Sequence, residues 1–459
     1  MILPIDTNVF PWKKGVYLVG GSIRDLLCGR TPIDYDLVVT NDPARFAREL
    51  ASGTAGHVVE FGKHGHTVLR VVLADYYFDI TPLNGASIED DLQRRDFTIN
   101  ALALEVSTGK LIDPAGGQQD LAAKKIRMVN RDVFRKDPVR LIRAYRMAAT
   151  FDFIIDKDTE AAISLDADLI RSSAAERIRE ELFKILKSTG SHAQLACMAH
   201  SGLLFSVFPE LLQLKKYRPG DNQPANLFEQ SLDAYHHLEK LLYSRELKLP
   251  APGDRLSQDI DSARAILLKW AVLLQNIGQS SARQETTGET PHFEGNADNS
   301  ATMAREICRR LKFSRRQSET IEFIIRHQLE PLLVFNARRD KASDDRAFIR
   351  FFMRCGDHTP DILLQAMAGF ISRRAPQDPA SQAFSEFIID SIDNYYSVLR
   401  PRALKPPPLT GNELIKEFDM KPSAAFKQIL KAIEEEHLAR QNLTREQALE
   451  LVEELLNRA

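Results

Sequence analysis

Cysteine is scarce in this chain, with four residues among 459. They are widely scattered, and no two have the spacing of zinc ligands; they are Cys28, Cys197, Cys308 and Cys355. An oxidised framework is also not expected in so large a chain. The sequence therefore predicts neither a cysteine metal site nor a fold held together by disulfide bonds.

Long apolar runs are missing as well, and no stretch approaches the length of a membrane span. The first residues, MILPIDTNVFPWKKG, lack the basic and then apolar segments of a secretion signal. The formal net charge is only −2, so an RNA-binding chain of this balance would need local basic patches. We expect a soluble cytoplasmic protein that does not associate with a membrane, and the sequence points to no protein partner.

The chain is long enough for two to four domains, and 44% of its residues are hydrophobic. Up to about residue 125, strand and helix patterns alternate. The segments GVYLVGG, YDLVV, HTVLRVVL and YYFDIT favour strands, and SIRDLLCG favours a short helix. From about residue 132 onward, apolar residues recur every three or four positions, which predicts helices.

Some later segments are polar or proline-rich. Residues 246–264 and 279–300 predict loops, and residues 401–412 predict a linker. Two amphipathic helical segments follow the linker, and the second is expected to begin at Thr444.

The segment TPIDYDLVV places two acids in a predicted strand. Residues i and i+2 of a strand share a face, so Asp34 and Asp36 project together while Tyr35 projects to the other side. Close carboxylates repel and need a cation or a proton, and Mg²⁺ is the simplest cation to fit. Short Asp-x-Asp sequences are nevertheless common in solvated turns, and this pattern alone favours a turn.

A glycine turn lies just upstream, in LVGGSIRD. Gly20 and Gly21, between a predicted strand and a predicted helix, would let backbone N–H groups approach a ligand closely. Arg24, one turn into the helix, could reach a phosphate oxygen. The combination of this turn with the Asp-x-Asp strand is far more specific than either motif alone.

Five ordered motifs then resemble one family. They are GGSIRD with DYD, RRDFTINALAL, DPAGGQQDLAAKKIR, DPVRLIRAYRMAATFDF and ERIREEL. The chain resembles the bacterial tRNA nucleotidyltransferase and poly(A) polymerase family. The resemblance implies an α+β fold, with a polymerase-β-like nucleotidyltransferase α/β head followed by an all-α neck, body and tail. The implied boundaries are 1–125 (head), 126–190 (neck), 191–400 (body) and 401–459 (tail).

The resemblance also implies the chemistry. The 3′-hydroxyl of an RNA attacks the α-phosphate of CTP or ATP, and pyrophosphate leaves. Asp34 and Asp36 would be catalytic and would hold Mg²⁺, and Asp79 in FDIT is a candidate third carboxylate. Asp79 could equally be a strand-end acid at the rim of the site.

By the same resemblance, Arg95 lies near the sugar and phosphates of the nucleotide and Asp96 helps to orient it. Gly20, Gly21 and Arg24 would also bind the nucleotide. The RNA partner would be a tRNA, bound at its 3′ end and at its elbow. Lys421 and Lys427 of the tail are candidate phosphate contacts, although each alone could simply be solvated.

The fourth motif implies a protein template for base selection. Asp137 and Arg140 would hydrogen-bond the Watson–Crick edge of C or A, because aspartate offers an acceptor and arginine a forked donor. Arg143 and Arg146 would contact the triphosphate. The family usually has an acid before the aspartate, where this chain has Lys136, so base selectivity is left open.

The extent of addition is also left open. Only TPLNGASIEDDLQ lies between the strand that ends in FDI and the motif RRDFT. In the family, a missing loop at this place accompanies CC addition without the final A. The segment FGKHGHTVLRV resembles tRNA enzymes more than poly(A) polymerases. Partial addition of CC or of the terminal A, poly(A) polymerase activity, and a catalytically silent RNA-binding protein are the alternatives.

The middle of the chain resembles the HD phosphohydrolases in LLQNIGQ, but with amides at the metal-binding positions. Gln230, Gln275, Asn276 and Asn296 stand where histidine or aspartate is expected, and only His327 is retained. The resemblance therefore implies a degenerate HD-like domain without metal or hydrolase activity. The alternative is a helical body with no such ancestry.

Overall fold

The computed structural model describes residues 5–62, 67–217, 225–243, 253–279, 294–339, 346–374 and 377–457. The chain divides into two units, Met1–Val207 and Phe208–Ala459. The strands of the described residues all lie in the first unit, and the described elements of the second are helical. This confirms the predicted α+β class, with a sheet-containing head and a helical remainder. The finer division into head, neck, body and tail stays a prediction.

The head is built on a seven-stranded sheet with the order β3-β4-β5-β2-β1-β6-β7. Strand β2 is central, pairing in parallel with β5 and antiparallel with β1. Two short strands, β8 and β9, form a separate parallel pair. The strands are β1 (Val16–Val19), β2 (Asp34–Val39), β3 (His57–Phe61), β4 (Val68–Val72), β5 (Tyr77–Pro82), β6 (Ala103–Glu105), β7 (Leu111–Ile112), β8 (Lys125–Ile126) and β9 (Ile154–Ile155).

The strands predicted from GVYLVGG, YDLVV and YYFDIT are present as β1, β2 and β5. HTVLRVVL supplies β4, although residues 63–66 of the segment FGKHGHTVLRV lie outside the described residues. Strand β3 was not predicted, and it pairs antiparallel with β4 at the end of the sheet. Its five residues are all exposed, so the apolar alternation that indicates a half-buried strand is absent.

The two faces of β2 have different surroundings. Tyr35, Leu37 and Val39 are buried in a hydrophobic core that also contains Phe46 and Leu50 of a covering helix. The opposite face carries Asp34 and Asp36, then Val38, which packs in a second, smaller apolar cluster. The strand period of two thus places both acids on one face, at the beginning of the strand.

The helices of the first unit are α1 (Gly21–Leu27), α2 (Pro43–Thr54), α3 (Ile88–Leu92), α4 (Gly117–Ala122), α5 (Val133–Lys136), α6 (Arg140–Phe151), α7 (Lys157–Asp166), α8 (Ala175–Leu186), α9 (Ser191–His200) and α10 (Leu203–Val207). Short 3₁₀ turns lie at Thr7–Val9, Thr98–Asn100 and Ala167–Ser172. Helix α2 begins with a capping bond from the N–H of Arg45 to Asp42, at 2.9 Å. Its apolar side covers the sheet face that lies opposite the acids.

The described helices of the second unit are α11 (Pro209–Lys216), α12 (Leu227–Tyr243), α13 (Gly253–Asp259), α14 (Ser262–Leu274), α15 (Glu294–Arg310), α16 (Arg315–Arg326), α17 (Glu330–Arg339), α18 (Arg346–Cys355), α19 (Thr359–Ile371), α20 (Pro379–Asn394), α21 (Arg400–Ala403), α22 (Gly411–Phe418), α23 (Ala424–Ala439) and α24 (Arg445–Asn457). A 3₁₀ turn lies at Gly356–His358, and a π-helical turn at Tyr395–Leu399 joins α20 to α21. Among the described residues, no helix is both long enough and apolar enough to cross a membrane.

The predicted loops are wrong where the structure describes them. Within 246–264 lies α13, and the start of α14 is capped by Asp261, which accepts from the N–H of Arg264 at 2.7 Å. Within 279–300, α15 begins at Glu294. The buried residues in the first turns of α15 are small, as Ala297, Ser300 and Ala301 show, so composition alone suggested a loop. Residues 244–252 and 280–293 lie outside the described residues.

The predicted linker, 401–412, is partly helical. Helix α21 reaches Ala403, and α22 begins after Thr410, which forms a capping box with Glu413. Both predicted tail helices are present, and the second begins after Thr444, whose hydroxyl accepts from the N–H of Gln447 at 3.3 Å. A hydrophobic cluster of α22, α23 and α24 gives this segment its own core.

Candidate active site

The turn between β1 and α1 lies directly against two of the predicted site residues. Gly20 has a φ of +67°, and a Cβ atom there would lie 2.5 Å from Nη1 of Arg95 and 3.5 Å from Oδ2 of Asp36. A side chain at this position would be strained by the positive φ and would displace the guanidinium of Arg95. Gly21 follows as the first residue of α1. The turn, Arg95 and Asp36 consequently form one site.

The position of Asp36 is fixed by its strand neighbours. It pairs with Val19 of β1 on one side and with Asp79 of β5 on the other. Its N–H donates to Oγ of Ser22 at 3.2 Å, and that hydroxyl donates to the carbonyl of Val19 at 3.0 Å. Asp34, two residues earlier on the same face, is exposed. The structure thus brings the two predicted catalytic acids to one face of the central strand.

Asp36 is a strongly perturbed acid. Burial raises its pKa from 3.8 to about 6, and the nearby carboxylates of Asp34 and Asp79 add to this, while Arg95 and Arg24 partly oppose it. The positive charge around the carboxylate is therefore too small to offset its desolvation. A further cation at this position would lower the pKa again.

Asp79 has a counter-ion of its own. Both of its carboxylate oxygens accept from Arg70, each at 2.7 Å. The guanidinium of Arg70 also lies 3.9 Å from the ring centre of Tyr77. Asp79 is thus next to Asp36 in the sheet, but it is neutralised by a protein cation. Its role as a third metal ligand stays a prediction.

Arg24 is engaged with protein groups. Its Nε donates to Asp25 at 2.9 Å and its Nη1 to Oδ1 of Asn100 at 2.5 Å. Its guanidinium also lies 4.5 Å from the ring centre of Phe151, at the end of α6. These contacts join α1 to the turn Thr98–Asn100 and to α6. Phosphate binding by Arg24 stays a prediction, and the structure adds this bracing role.

Arg95 is held by an acid that the sequence reasoning missed. Its Nη2 donates to Asp91 at 3.3 Å, and Asp91 also accepts from the N–H of Asn84 at 3.2 Å. The expectation that Asp96 orients Arg95 is not met, because Asp96 accepts from Asn100 at 2.8 Å and from Arg143 at 3.1 Å. The short segment between β5 and RRDFT therefore supplies the support for Arg95.

Asp96 is a buried acid that stays ionised. Burial alone would raise its pKa, but Arg143, Asn100 and the N–H of Phe97 together hold the pKa below its ordinary value. Its two oxygens divide these partners, with Asn100 and Phe97 on one and Arg143 on the other. Asp96 therefore links the second motif to α6.

Asp137 lies in the break between α5 and α6, just before the helix that carries the arginines, rather than on that helix. Both of its oxygens accept from Arg177 of the fifth motif, at 2.9 and 2.8 Å. Nε of Arg140 lies 3.7 Å from the same carboxylate. Burial would raise the pKa of Asp137, but Arg177 and then Arg140 and Arg143 lower it.

Arg143 and Arg146 converge on Glu181 of α8, another residue missed from the sequence. Nε of Arg143 lies 3.4 Å and Nε of Arg146 lies 2.6 Å from the carboxylate oxygens. These contacts neutralise charge without aligned hydrogen bonds. Four arginines of the site have a buried Nε–H group without an aligned acceptor; they are Arg95, Arg140, Arg143 and Arg146. Such donors suit the oxygens of a polyphosphate.

Comparison with known proteins agrees with this geometry. Residues 16–127 match the family model described as the poly A polymerase head domain, and residues 152–214 match a probable RNA and SrmB-binding site of polymerase A. The A-adding tRNA nucleotidyltransferase of Deinococcus radiodurans is 30% identical, over 93% of this chain and 92% of that protein. The chain belongs to the tRNA nucleotidyltransferase and poly(A) polymerase family. Members of this family are enzymes.

Other relatives extend over nearly the whole chain. The CC-adding tRNA nucleotidyltransferase of Synechocystis is 28% identical, over 99% of this chain and 96% of that protein. A CCA-adding enzyme solved with CTP has a TM-score of 0.65 at 20% identity, covering 96% of this chain and 91% of that one. The Thermotoga maritima CCA-adding enzyme solved with tRNA has a TM-score of 0.63 at 21% identity, with the same coverage. These two structures support the fold.

The two acids at the start of β2 suit the divalent metal on which nucleotidyltransferases of this family depend. Asp34 and Asp36 supply hard carboxylate oxygens on one face, and the raised pKa of Asp36 indicates a local shortage of positive charge. Asp34 is exposed, so its carboxylate is open to an ion from solution. These two residues are therefore the ones that would hold the metal.

This shortage of charge predicts a stability effect for Asp36→Asn. The folded pKa of about 6 exceeds the ordinary 3.8, so the folded state binds more protons than the unfolded state between these values. Stability is therefore lost as pH rises from about 4 to 6, by about 3 kcal/mol. Without divalent metal at pH 7.5, we expect Asp36→Asn to melt a few degrees above the wild type.

Thermal melts at pH 4.5 and 7.5, with and without EDTA, measure this effect. The difference in melting temperature between Asp36→Asn and the wild type should be smaller at pH 4.5, where the wild-type carboxylate is protonated. Added metal should raise the melting temperature of the wild type only. A variant that melts lower at pH 7.5 in EDTA would contradict the proposed charge shortage.

The third motif braces the turn at Thr98–Asn100. Asp113 accepts from the N–H of Gly117 at 2.7 Å, and a Cβ atom at Gly117 would lie only 2.2 Å from the carbonyl oxygen of Thr98. The hydroxyl of Thr98 donates to buried Asp120 at 2.6 Å, and Asp120 also pairs with Arg127. The motif thus supports the residues that contact Arg24 and Asp96.

In the second unit, the amides predicted at degenerate HD positions are buried. Gln230, Gln275 and Asn276 are each less than 5% exposed, and the side chain of Asn296 lies outside the described residues. His327 faces Glu330, with its Nδ1 2.6 Å from a carboxylate oxygen. HD ancestry and the absence of a metal there stay predictions.

Proposed function

We propose that this chain adds C or A residues to the 3′ end of tRNA without a nucleic acid template, using CTP or ATP and releasing pyrophosphate. The observation that carries the proposal is the joining of Asp36, Arg95 and Gly20 in one site. Full-length relatives named A-adding and CC-adding tRNA nucleotidyltransferases support the same substrate. A role for the tail in binding the tRNA elbow, with exposed Lys421 and Lys427 as phosphate contacts, belongs to this proposal.

We infer Mg²⁺ as the metal, because it prefers one or two carboxylates together with phosphate oxygens. When bound, it would make the 3′-hydroxyl more acidic and neutralise the leaving oxygen. The protein's share is to present Asp34 and Asp36 together on one face of β2. Gly20 and Gly21 have no side chains, so a phosphate could approach the backbone of this turn, and the Nε–H of Arg95, which has no aligned acceptor, is available to donate to it.

The nucleotide base would be selected by Asp137 and Arg140. Cytosine and adenine both present an amino donor beside a ring-nitrogen acceptor, which match a carboxylate and a guanidinium. Arg143 and Arg146 would bind the triphosphate. Glu181 holds these two arginines in place, so their geometry is set before the nucleotide arrives.

Within this activity we propose partial addition, either of CC or of the terminal A. The short segment between β5 and Arg94 supports this, because it is folded into α3 and anchored through Asp91. It therefore leaves little chain for a longer moving loop. The relatives that cover nearly all of this chain include partial enzymes of both kinds. Action on tRNA implies a cytoplasmic location.

A gel assay with three tRNAs, lacking CCA, ending in CC, and mature, tests this function. Each is incubated with Mg²⁺ and CTP, ATP or both. Arrest after two C residues indicates a CC-adding enzyme, and extension of only the CC-ending tRNA by A indicates an A-adding enzyme. Complete CCA would contradict partial addition, and long A tails on ATP alone would indicate a poly(A) polymerase. Binding of tRNA without incorporation would support the silent RNA-binding alternative.

A further inference from the structure

A cluster of uncharged amides lies inside the second unit, and one of them contacts an arginine. Gln275 and Asn276 follow α14, Gln365 lies on α19, and Arg373 follows the end of α19. Gln275, Asn276 and Gln365 are at most 2% exposed, and Arg373 is mostly buried. The nucleotidyl-transfer site described above lies in the first unit and uses none of these residues.

The amides are only partly satisfied. Nε2 of Gln365 donates to Oε1 of Gln275 over a long 3.4 Å. The other ends of both amides, Nε2 of Gln275 and Oε1 of Gln365, have no hydrogen-bond partner although they are buried. Buried polar atoms without partners are uncommon in native proteins and call for a ligand, a water or an ion.

Asn276 links these amides to the arginine. Its Oδ1 accepts from Gln279 at 2.7 Å and from Nη2 of Arg373 at 3.4 Å. Its Nδ2 donates to Oγ of Ser231 at 2.9 Å. The guanidinium of Arg373 therefore contacts a neutral oxygen that already accepts a shorter hydrogen bond from Gln279.

Arg373 differs in this respect from other buried cations of the unit. Lys269 lies 2.7 Å from Glu239, and Arg264 lies 2.9 Å from Asp361. Among the described residues, no carboxylate pairs with Arg373. Burial, and then the like charge of Arg374, lower the pKa of Arg373. A guanidinium does not lose its proton in a protein, so the charge stays uncompensated.

We propose that Arg373 and the amide donors around it form a binding site for a phosphate-type oxyanion, either inorganic phosphate or the phosphate of a nucleotide. The forked guanidinium matches two phosphate oxygens. Gln275, next in sequence to the Asn276 that contacts Arg373, has a buried Nε2 without a hydrogen-bond partner, which is a further neutral donor. An anion would provide the negative charge that Glu239 and Asp361 give to Lys269 and Arg264, and that no described carboxylate gives to Arg373.

A metal site in the same region is less well supported. Among the described residues, His327, Glu330 and Cys355 are the one group with three metal-type donors close together. Glu330 already accepts from Arg354 at 2.6 Å as well as from His327. This acid is therefore neutralised, whereas the charge of Arg373 is not.

Thermal melts of the full-length protein test the proposal, with Arg373→Gln compared against Arg374→Gln. Arg374 is the matched control, because it lies 3.4 Å from its own acid, Asp378. Inorganic phosphate at 10 mM, with sodium chloride at equal ionic strength as the blank, should raise the wild-type melting temperature by a few degrees. The head is expected to bind phosphate in every variant, so the quantity compared is the difference between the two variants.

We expect the phosphate-induced rise to be retained in Arg374→Gln and reduced in Arg373→Gln. Without phosphate, Arg373→Gln should melt no lower than the wild type, because it removes an uncompensated charge. A parallel arm with CMP distinguishes the sources: if the two variants differ at a lower concentration of CMP than of phosphate, the ligand is a nucleotide. Equal rises in both variants would overturn the proposal.

If Arg373→Gln does not fold, two further measurements decide. Arg373→Lys keeps the charge but loses the fork, and should bind phosphate several-fold more weakly than the wild type. Calorimetric titration with phosphate alone, without nucleotide, should show tighter binding to the wild type than to Arg373→Lys. The same isotherm for both proteins would exclude the site, and it would leave the proposed nucleotidyl transfer untouched.

Discussion

Asp36→Asn is expected to lower the rate constant of nucleotide addition by about 10³-fold or more. The substitution keeps the size of the side chain and the strand pairing with Val19 and Asp79 but removes the negative charge that a metal needs. Loss of metal-borne stabilisation of the transferring phosphate costs several kcal/mol, which corresponds to this factor. Single-turnover incorporation of labelled CTP or ATP into tRNA measures the change.

Asp79→Asn is the matched control on the neighbouring strand. Because Arg70 occupies both oxygens of Asp79, we expect a much smaller loss, of about tenfold, from disturbing that pair. Equal losses in the two variants would instead support Asp79 as a third metal ligand. Nearly full activity in Asp36→Asn would contradict the assignment of the metal to the β2 acids. Retained tRNA binding in each variant excludes unfolding as the cause.

Local patterns in the sequence predict much of the fold of the head. The first four residues of the strand containing Asp34 and Asp36 alternate between polar and apolar, because only one face is fully buried there, and this alternation is visible without a structure. The edge strand β3 has no buried face, so it leaves no such pattern. The first turns of helix α15 were predicted as part of a loop, because alanine and serine, rather than large apolar residues, are buried there.

The site was predictable to the extent that its residues lie in compact motifs. Gly20, Asp36 and Arg95 meet as the motifs suggest. The residues that hold the charged groups of the site were missed, because such pairing depends on the folded chain. Arg177, for example, is 40 residues from Asp137, the aspartate with which it pairs. The ERIREEL motif that contains Arg177 and Glu181 was recognisable, yet its spacing alone does not indicate which partners its charges meet.

Asp137→Ala is expected to reduce base discrimination by about 10²-fold. Uracil presents a ring N–H and a carbonyl oxygen where cytosine presents a ring nitrogen and an amino group, so it opposes both Asp137 and Arg140. In the wild type this mismatch leaves polar groups unpaired, which is costly in an enclosed site. Asp137→Ala removes one of these two mismatches, so the free-energy penalty against uracil becomes smaller. The ratio of kcat/KM for CTP, or for ATP in an A-adding enzyme, to that for UTP measures the effect.

Arg177 does not prevent Asp137 from reading a base. Each carboxylate oxygen has two lone pairs, and Arg177 uses one on each, so a second lone pair stays available for the amino group of C or A. Arg177 instead fixes the plane of the carboxylate and, with Arg140, keeps its pKa low, so that it remains an acceptor. Arg177→Ala should therefore weaken discrimination less than Asp137→Ala does.

Lys136→Ala is the matched control, because Lys136 is adjacent to Asp137 in sequence and is exposed. If base selection depends on the Asp137 carboxylate and its arginines, this variant should keep the wild-type ratio within about twofold, as expected for an exposed substitution. A loss of discrimination in Lys136→Ala equal to that in Asp137→Ala would contradict the assignment. Selection would then depend on the electrostatics of the whole α5–α6 break rather than on edge pairing by one carboxylate.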